Sequence, residues 1–178
     1  MENRFRPVLV EVGSEAFYDV DSIYKEAFPP NERVPLERII EPKTHLEGNY
    51  VYAVYEGNKC VAFYHIYEAE KFYYLDFFAV LADLRSKGYG AKIMKYLLDS
   101  FPDKPIMGLA EYPTEGIDNY EQRIRRIEFY ERNNMYNLEK TVEVSDEKYY
   151  VLASEKNAPG NEFIDFVMYL QNNADAYV

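Results

Sequence analysis

The residues best spaced to do chemistry are Arg85-Ser86-Lys87-Gly88-Tyr89-Gly90, where two glycines stand two positions apart just ahead of an apolar-periodic run. Glycine at a helix entrance lets the backbone take positive φ or approach a guest closely, where the first N–H groups of the helix lack an internal acceptor. The guest such a turn suits is an anion: a pyrophosphate on successive N–H groups from Arg85 to Gly90, with Arg85 and Lys87 adding charge. Two nucleotide loops are excluded. Gly90 is followed by Ala91-Lys92-Ile93 and not by the Lys-Ser/Thr of a phosphate loop, and Ile93 stands where a dinucleotide fingerprint requires its third glycine. The residues alone therefore leave an anion cradle or an ordinary glycine turn into a helix.

Two carboxylates stand out next. In Tyr74-Leu75-Asp76-Phe77-Phe78-Ala79-Val80, strict alternation puts Tyr74, Asp76, Phe78 and Val80 on one face and Leu75, Phe77 and Ala79 on the other. A lone carboxylate on an aromatic face is costly unless it borders a cleft or has a partner. Glu111 ends the apolar run PIMGLAEY at a strand's carboxyl edge, where ligands bind in α/β folds. Each also reads as a salt-bridge partner or strand-end charge. His45 and His65 read as structural or surface residues and Cys60 as a small apolar residue in its strand. One cysteine and two histidines leave no intrachain disulfide and no zinc-ligand spacing.

The elements that must position these groups follow from periodicity. Residues 5–12 read as a strand; Ser14 caps a helix with apolar Ala16, Phe17, Val20, Ile23, Tyr24, Ala27 and Phe28, stopped by Pro29-Pro30. A short helix starts at Pro35 and ends before Pro42. Residues 50–80, rich in Tyr, Phe and Val, break at Glu56–Lys59 and near Glu70-Lys71 into three antiparallel strands. A helix from Gly88 to Ser100, a buried strand, a charged helix with Ile124, Ile127 and Phe129 or Tyr130 facing inward, two strands at 135–144 and 147–153, and a last amphipathic helix at about 161–176 complete the order. The expected fold is α/β (α+β): one domain over residues 1–178 whose mixed sheet carries helices on both faces, each helical crossover favouring parallel neighbours.

Composition sets the limits. The chain has 178 residues, 48% hydrophobic and 17% aromatic, enough for a sizeable core. With 20 Lys+Arg against 31 Asp+Glu the net charge is −11, which disfavours a phosphate-backbone partner and so nucleic acid. The acidic balance reads first as a solubility feature and then as favouring a cationic substrate. No apolar run approaches the roughly 20 residues of a membrane span, and the single cysteine suits a cytoplasmic location.

Leu75-Asp76-Phe77-Phe78-Ala79-Val80 followed by Arg85-x-x-Gly88-x-Gly90 resembles the acetyl-CoA motif of the GCN5-related N-acetyltransferase (GNAT) superfamily. Ile127-Glu-Phe129-Tyr130-Glu-Arg-Asn-Asn134-Met135 is similar to its later helix, and the element order matches over nearly the whole chain. There are three departures. Ala82 replaces a common proline, Arg123 stands where the family has Asn before the late helix, and Asn134 replaces a glycine whose left-handed conformation Asn tolerates. Arg123 implies that a side-chain contact to pantetheine found in some relatives is lost or replaced.

The resemblance implies a mostly antiparallel sheet of about seven strands, acetyl-CoA as cosubstrate, no metal, and direct acetyl transfer to a small-molecule or peptide amine. Pantetheine would lie along Phe78, Ala79 and Val80, pyrophosphate on Arg85, Ser86, Lys87, Gly88, Tyr89 and Gly90, and the thioester near Leu109 and Glu111. Tyr130 matches the family's general acid. Asp76 or Glu111, directly or through water, is the candidate base, and Glu32, Arg33 and Leu36 are candidate substrate contacts. Two other functions fit the sequence, an acyl-CoA-binding sensor or assembly module with little turnover and a structural partner protein using its aromatic surface. A homodimer stays open.

Overall fold

Ser14 Oγ accepts the Phe17 N–H at 3.1 Å and starts helix α1 (Glu15–Ala27), which buries Ala16, Phe17, Val20, Ile23 and Tyr24 as its apolar period requires. The structure, a computed structural model, describes residues 4–30, 33–42 and 47–173. Strand β1 (Arg6–Leu9) precedes α1 and helix α2 (Leu36–Ile40) follows it. Then come β2 (Asn49–Glu56), β3 (Lys59–Glu68), β4 (Tyr73–Val80), helix α3 (Tyr89–Ser100), β5 (Ile106–Glu111), helix α4 (Tyr120–Arg132), β6 (Tyr136–Val144), β7 (Glu147–Ala153) and helix α5 (Gly160–Asn172). The seven strands form one sheet in the order β1-β2-β3-β4-β5-β7-β6, in which only β4 and β5 are parallel neighbours.

Two expectations need correction. β1 stops at Leu9 instead of running to residue 12, because the chain turns at Gly13 (φ +81°), where the Ser14 N–H bonds the Glu11 carbonyl at 3.1 Å. The α1–α2 crossover returns to an antiparallel neighbour, since β2 pairs β1 from Arg6↔Tyr55 to Leu9↔Tyr52. The α3 crossover does deliver the parallel pair, and the α4 crossover places β6 beyond β7, which fills the gap between β5 and β6.

Three apolar clusters share the sheet. Ile93, Met94 and Leu97 of α3 pack on Tyr64, Ile66, Leu75 and Ile106, with Ile127, Phe129 and Tyr130 of α4 against the same cluster. On the other face α1 and α2 cover Val51, Ala53 and Phe63, while Phe163 and Val167 of α5 cover Tyr67, Tyr74, Met107 and Val151. The last helix therefore packs on the sheet.

Candidate active site

The site begins where two strands part. β4 and β5 pair through Tyr73↔Ile106, Tyr74↔Met107 and Leu75↔Gly108, and no further. Gly108 lets the last rung close, since a Cβ there would lie 3.3 Å from the Leu75 carbonyl oxygen. Beyond it β4 continues on β3 to Val80↔Ala62 and β5 continues on β7 to Glu111↔Tyr149. Each strand keeps its outer neighbour and loses its inner one, opening a wedge whose two edges carry main-chain groups with no sheet partner.

A β-bulge sits at the mouth of that wedge. His65 pairs with Phe77 but Ile66 with Leu75, leaving Asp76 as the extra residue of β4. The inserted residue corrects the alternation expected from sequence: Leu75 joins Phe78 and Val80 against α3 and α4, while Phe77 and Ala79 face α1. Asp76, half-buried, accepts the Tyr74 hydroxyl on Oδ1 at 2.8 Å and lies 3.1 Å through Oδ2 from His65 Nδ1. From sequence His65 reads as structural or surface. It is buried beneath the cleft, and the signal that could have marked it is its position opposite Asp76 in the neighbouring strand.

From Asp76 a cleft of about 760 Å³ runs along Phe78, Ala79 and Val80 to Arg85, Ser86, Gly88 and Gly90, and is closed on its far side by α4. The turn has the geometry its composition suggests. Gly88 is left-handed (φ +77°) as the residue before α3, Ser86 also has positive φ (+59°), and the first α3 bond runs from the Lys92 N–H to the Gly88 carbonyl at 3.2 Å. The N–H groups of Tyr89, Gly90 and Ala91 thus precede the first intrahelical bond and have no acceptor inside the helix. Gly90 meets a packing requirement: a Cβ there would lie 3.1 Å from the Phe129 ring, which itself stacks on Phe78. Arg85 Nε donates to the Val80 carbonyl at 3.0 Å, tying the turn to the end of β4. Lys87 is exposed, and Tyr89 points away, donating to Glu56 at 2.5 Å; neither side chain lines the cleft.

Helix α4 supplies the wall through Gln122, Arg126, Phe129, Tyr130 and Asn133, recurring on one face at steps of three and four. Burial pushes the Tyr130 phenol above its ordinary 10.0, against the lowering pull of Arg126, with Glu111 adding to the rise. Glu111 is ion-paired with Arg126 and does not line the cleft, whereas Asp76 does. Asn134 takes the left-handed conformation (φ +62°) just after the helix. Arg123 turns to the opposite side, where it is buried and bonds the Glu147 carboxylate at 2.5 and 3.2 Å, the Tyr112 carbonyl at 3.0 Å and Asn119 Oδ1 at 3.1 Å. The Glu147 hydrogen bond raises the Arg123 guanidinium further and holds the Glu147 carboxyl below its ordinary range. Sequence pattern misses Gln122, which lines the cleft one position earlier.

Near Asp76 the remaining wall is Ala27 and Phe28 at the end of α1. Of the three expected substrate contacts, Leu36 is buried in the core under α1, Arg33 reaches the Lys25 carbonyl at 3.4 Å, and Glu32 lies outside the described residues, as does His45. Neither Leu36 nor Arg33 lines the cleft. Among the described residues no group of three or more His, Cys, Asp or Glu is placed to hold a metal ion, and no helix is long and apolar enough to cross a membrane.

The wedge, the bulge and the glycine turn together form a cleft suited to an extended ligand with an anionic end. The chain belongs to the acetyltransferase (GNAT) family, whose model matches residues 17–135. Among solved structures it is similar to a putative GNAT acetyltransferase from Bacteroides thetaiotaomicron, at 22% identity over 98% of both chains with a TM-score of 0.76. A GNAT family acetyltransferase from Elizabethkingia anophelis with acetyl-CoA bound matches at 9% identity over 85% of this chain and 98% of its own, TM-score 0.55. A Bacillus subtilis acetyltransferase in complex with CoA matches at 13% identity over 84% and 97%, TM-score 0.54. A search of curated proteins gives no significant match.

Proposed function

We propose that this chain is an acetyl-CoA-dependent N-acetyltransferase that moves the acetyl group directly to a primary amine of a small molecule or peptide. The observation that carries the reading is the continuous cleft from the carboxylate of Asp76, along the unpaired edge of β4, to the turn at Arg85–Gly90. Bound acetyl-CoA in the Elizabethkingia relative and CoA in the Bacillus one support it. Three core clusters on one sheet support reading residues 1–178 as one such domain, and a single buried cysteine supports a cytoplasmic site of action.

Acetyl-CoA supplies the acetyl thioester. The main chain of Phe78, Ala79 and Val80 receives pantetheine as a missing strand would be received. The N–H groups of Ser86, Gly88, Tyr89 and Gly90 receive the pyrophosphate, aided by the positive end of α3 and by Arg85; Lys87, whose N–H bonds the Leu84 carbonyl at 3.3 Å, is not among them. At the reacting end, an amine must reach the carbonyl neutral and the departing thiolate must gain a proton. Asp76 takes the amine proton, directly or through one water, because it lines the cleft and Glu111 does not. The Tyr130 Oη gives its proton to the thiolate, and burial keeps that phenol protonated at neutral pH. Ala27 and Phe28 form the near wall for the acceptor, backed by the segment of Arg33 and Leu36.

The test is acetyl-CoA titration by calorimetry with free-thiol release measured over a panel of polyamine, aminoglycoside, amino-acid and peptide amines. Binding with amine-dependent thiol release is expected. No binding to the folded protein would refute the assignment, and binding without thiol release for any amine would make the chain an acyl-CoA-binding module.

A further inference from the structure

Asn49 begins β2, and its Nδ2 donates to the Ile39 carbonyl at 2.8 Å and the Ile40 carbonyl at 3.4 Å, satisfying acceptors at the end of α2. Those two carbonyls fix the amide orientation, since the reversed amide would set oxygen against oxygen. Asn49 Oδ1 therefore faces His65 Nε2 at 2.7 Å and must accept, so Nε2 carries a proton. The other ring nitrogen, Nδ1, stands 3.1 Å from Asp76 Oδ2. With Nε2 already protonated, an unprotonated Nδ1 would oppose its lone pair to that of the carboxylate. A proton must therefore lie between Nδ1 and Oδ2, and with the ring buried at 1% exposure no water replaces it; carried on Nδ1, it leaves Asp76 the carboxylate that a base requires.

We infer that His65 is a positioning residue for Asp76. Donating from both ring nitrogens, it holds the carboxylate in one orientation at the bulge, with the Tyr74 hydroxyl fixing the second oxygen. The open side of the carboxylate, 27% exposed, is the side that borders the cleft. His65 is itself clamped between rings, with Tyr67 at 4.5 Å and Phe77 stacked at 5.9 Å. Sequence alone pairs none of these groups. The chain Ile39/Ile40–Asn49–His65–Asp76 also ties the end of α2, beside the acceptor wall, to the carboxylate. The titratable groups around the pair are Tyr74 on β4, Tyr67 on β3 and Tyr24 on α1, whose phenol feels the Asp76 charge. The positioning role rests on the reading of Asp76 as the base.

The experiment exploits the presence of only two histidines. Protein labelled with ¹⁵N-histidine is observed by ring nitrogen–proton correlation at pH 7, with His45→Gln assigning the signals. His65 is expected to show protons on both nitrogens in the wild type. In Asp76→Asn the new amide donates to Nδ1, so His65 becomes singly protonated on Nε2. In parallel, kcat with the amine of fastest thiol release is expected to fall on the order of 10²-fold in Asp76→Asn and about tenfold in His65→Gln. Acetyl-CoA affinity by calorimetry should be unchanged in both. A wild-type ring protonated once, a ring indifferent to Asp76→Asn, or wild-type kcat in folded His65→Gln would overturn the positioning role. Wild-type turnover in Asp76→Asn would instead remove the base reading and the catalytic sense of the pair together, while the ring signature would still report the bond, so the two failures are distinguishable.

Discussion

Replacing Tyr130 by Phe isolates one proton. Tyr130 packs with Phe129 against the α3 cluster, and among the described residues its hydroxyl has no hydrogen-bond partner, so the substitution keeps the ring and leaves no group stranded. Stability should then change by less than about 0.5 kcal/mol. If the phenol protonates the departing thiolate, kcat should fall on the order of 10²-fold, which is about 2.7 kcal/mol of barrier. Because burial raises this phenol above its ordinary 10.0, the wild-type rate should show no alkaline limb from Tyr130 below that pH. The assay needs kcat with a responsive amine, acetyl-CoA affinity by calorimetry, and urea unfolding of both proteins. A kcat within about threefold of wild type at unchanged affinity would refute the acid role, since a transition-state proton donor cannot be removed so cheaply.

Three further outcomes are expected. Gly88→Val forces a β-branched residue to φ +77° and puts a side chain over the N–H cradle, so acetyl-CoA affinity by calorimetry should fall tenfold or more in the folded protein, and unchanged affinity would remove the pyrophosphate assignment; Arg85→Ala, whose Nε is already held by the Val80 carbonyl, should cost less. Arg123→Ala should lower unfolding free energy by about 2 kcal/mol, because Arg123 is buried but Glu147 is partly in water, while kcat stays near wild type; the contribution of this pair is present above the ordinary Glu value of 4.5 and is lost as pH falls through the depressed one. Tyr73 is pushed up to about 12 and Tyr55, Tyr64 and Tyr74 are also raised, each by burial first, so their neutral forms favour the native state. That stability is complete below the unfolded value near 10.0 and is lost as pH rises beyond it, so denaturant midpoints should fall steeply above pH 10 and stay flat from 7 to 9.

Much of the fold was legible because local signals agreed with tertiary ones. Ser14 caps α1 where an apolar period begins, Pro35 precedes α2, and Gly57-Asn58 turns β2 into β3. The sheet order was not legible. Insertion of β7 between β5 and β6 depends on which edge is left open after the α4 crossover, and no residue of β6 or β7 announces it. Arg123 shows the same limit within one side chain. Its motif position suggested the ligand side of α4, but a helix turns 100° per residue, so the neighbouring Gln122 faces the cleft while Arg123 meets Glu147.

The site turned on a residue that alternation could not place. A strand read with period two has nowhere to put Asp76 except on an aromatic face, where an unpaired carboxylate is costly. The bulge resolves that conflict by giving β4 one residue more than β3 uses, so that Leu75 and Phe78 stay on the α3 face while Asp76 is left over. The same extra residue coincides with the end of β4–β5 pairing at Leu75↔Gly108, so the carboxylate and the wedge arise at one point in the chain. His65, opposite the bulge in β3, is thereby faced by Asp76 as well as by Phe77. Deleting Asp76 should therefore remove the base and leave the faces of β4 as they are. Leu75 would still pair with Ile66 and Phe77 with His65, now in unbroken alternation that keeps Phe78 and Val80 on the α3 face beside the cleft. The deletion protein is therefore expected to keep acetyl-CoA binding and lose turnover, as Asp76→Asn does; loss of binding by the folded deletion protein alone would show that the bulge itself shapes the wedge.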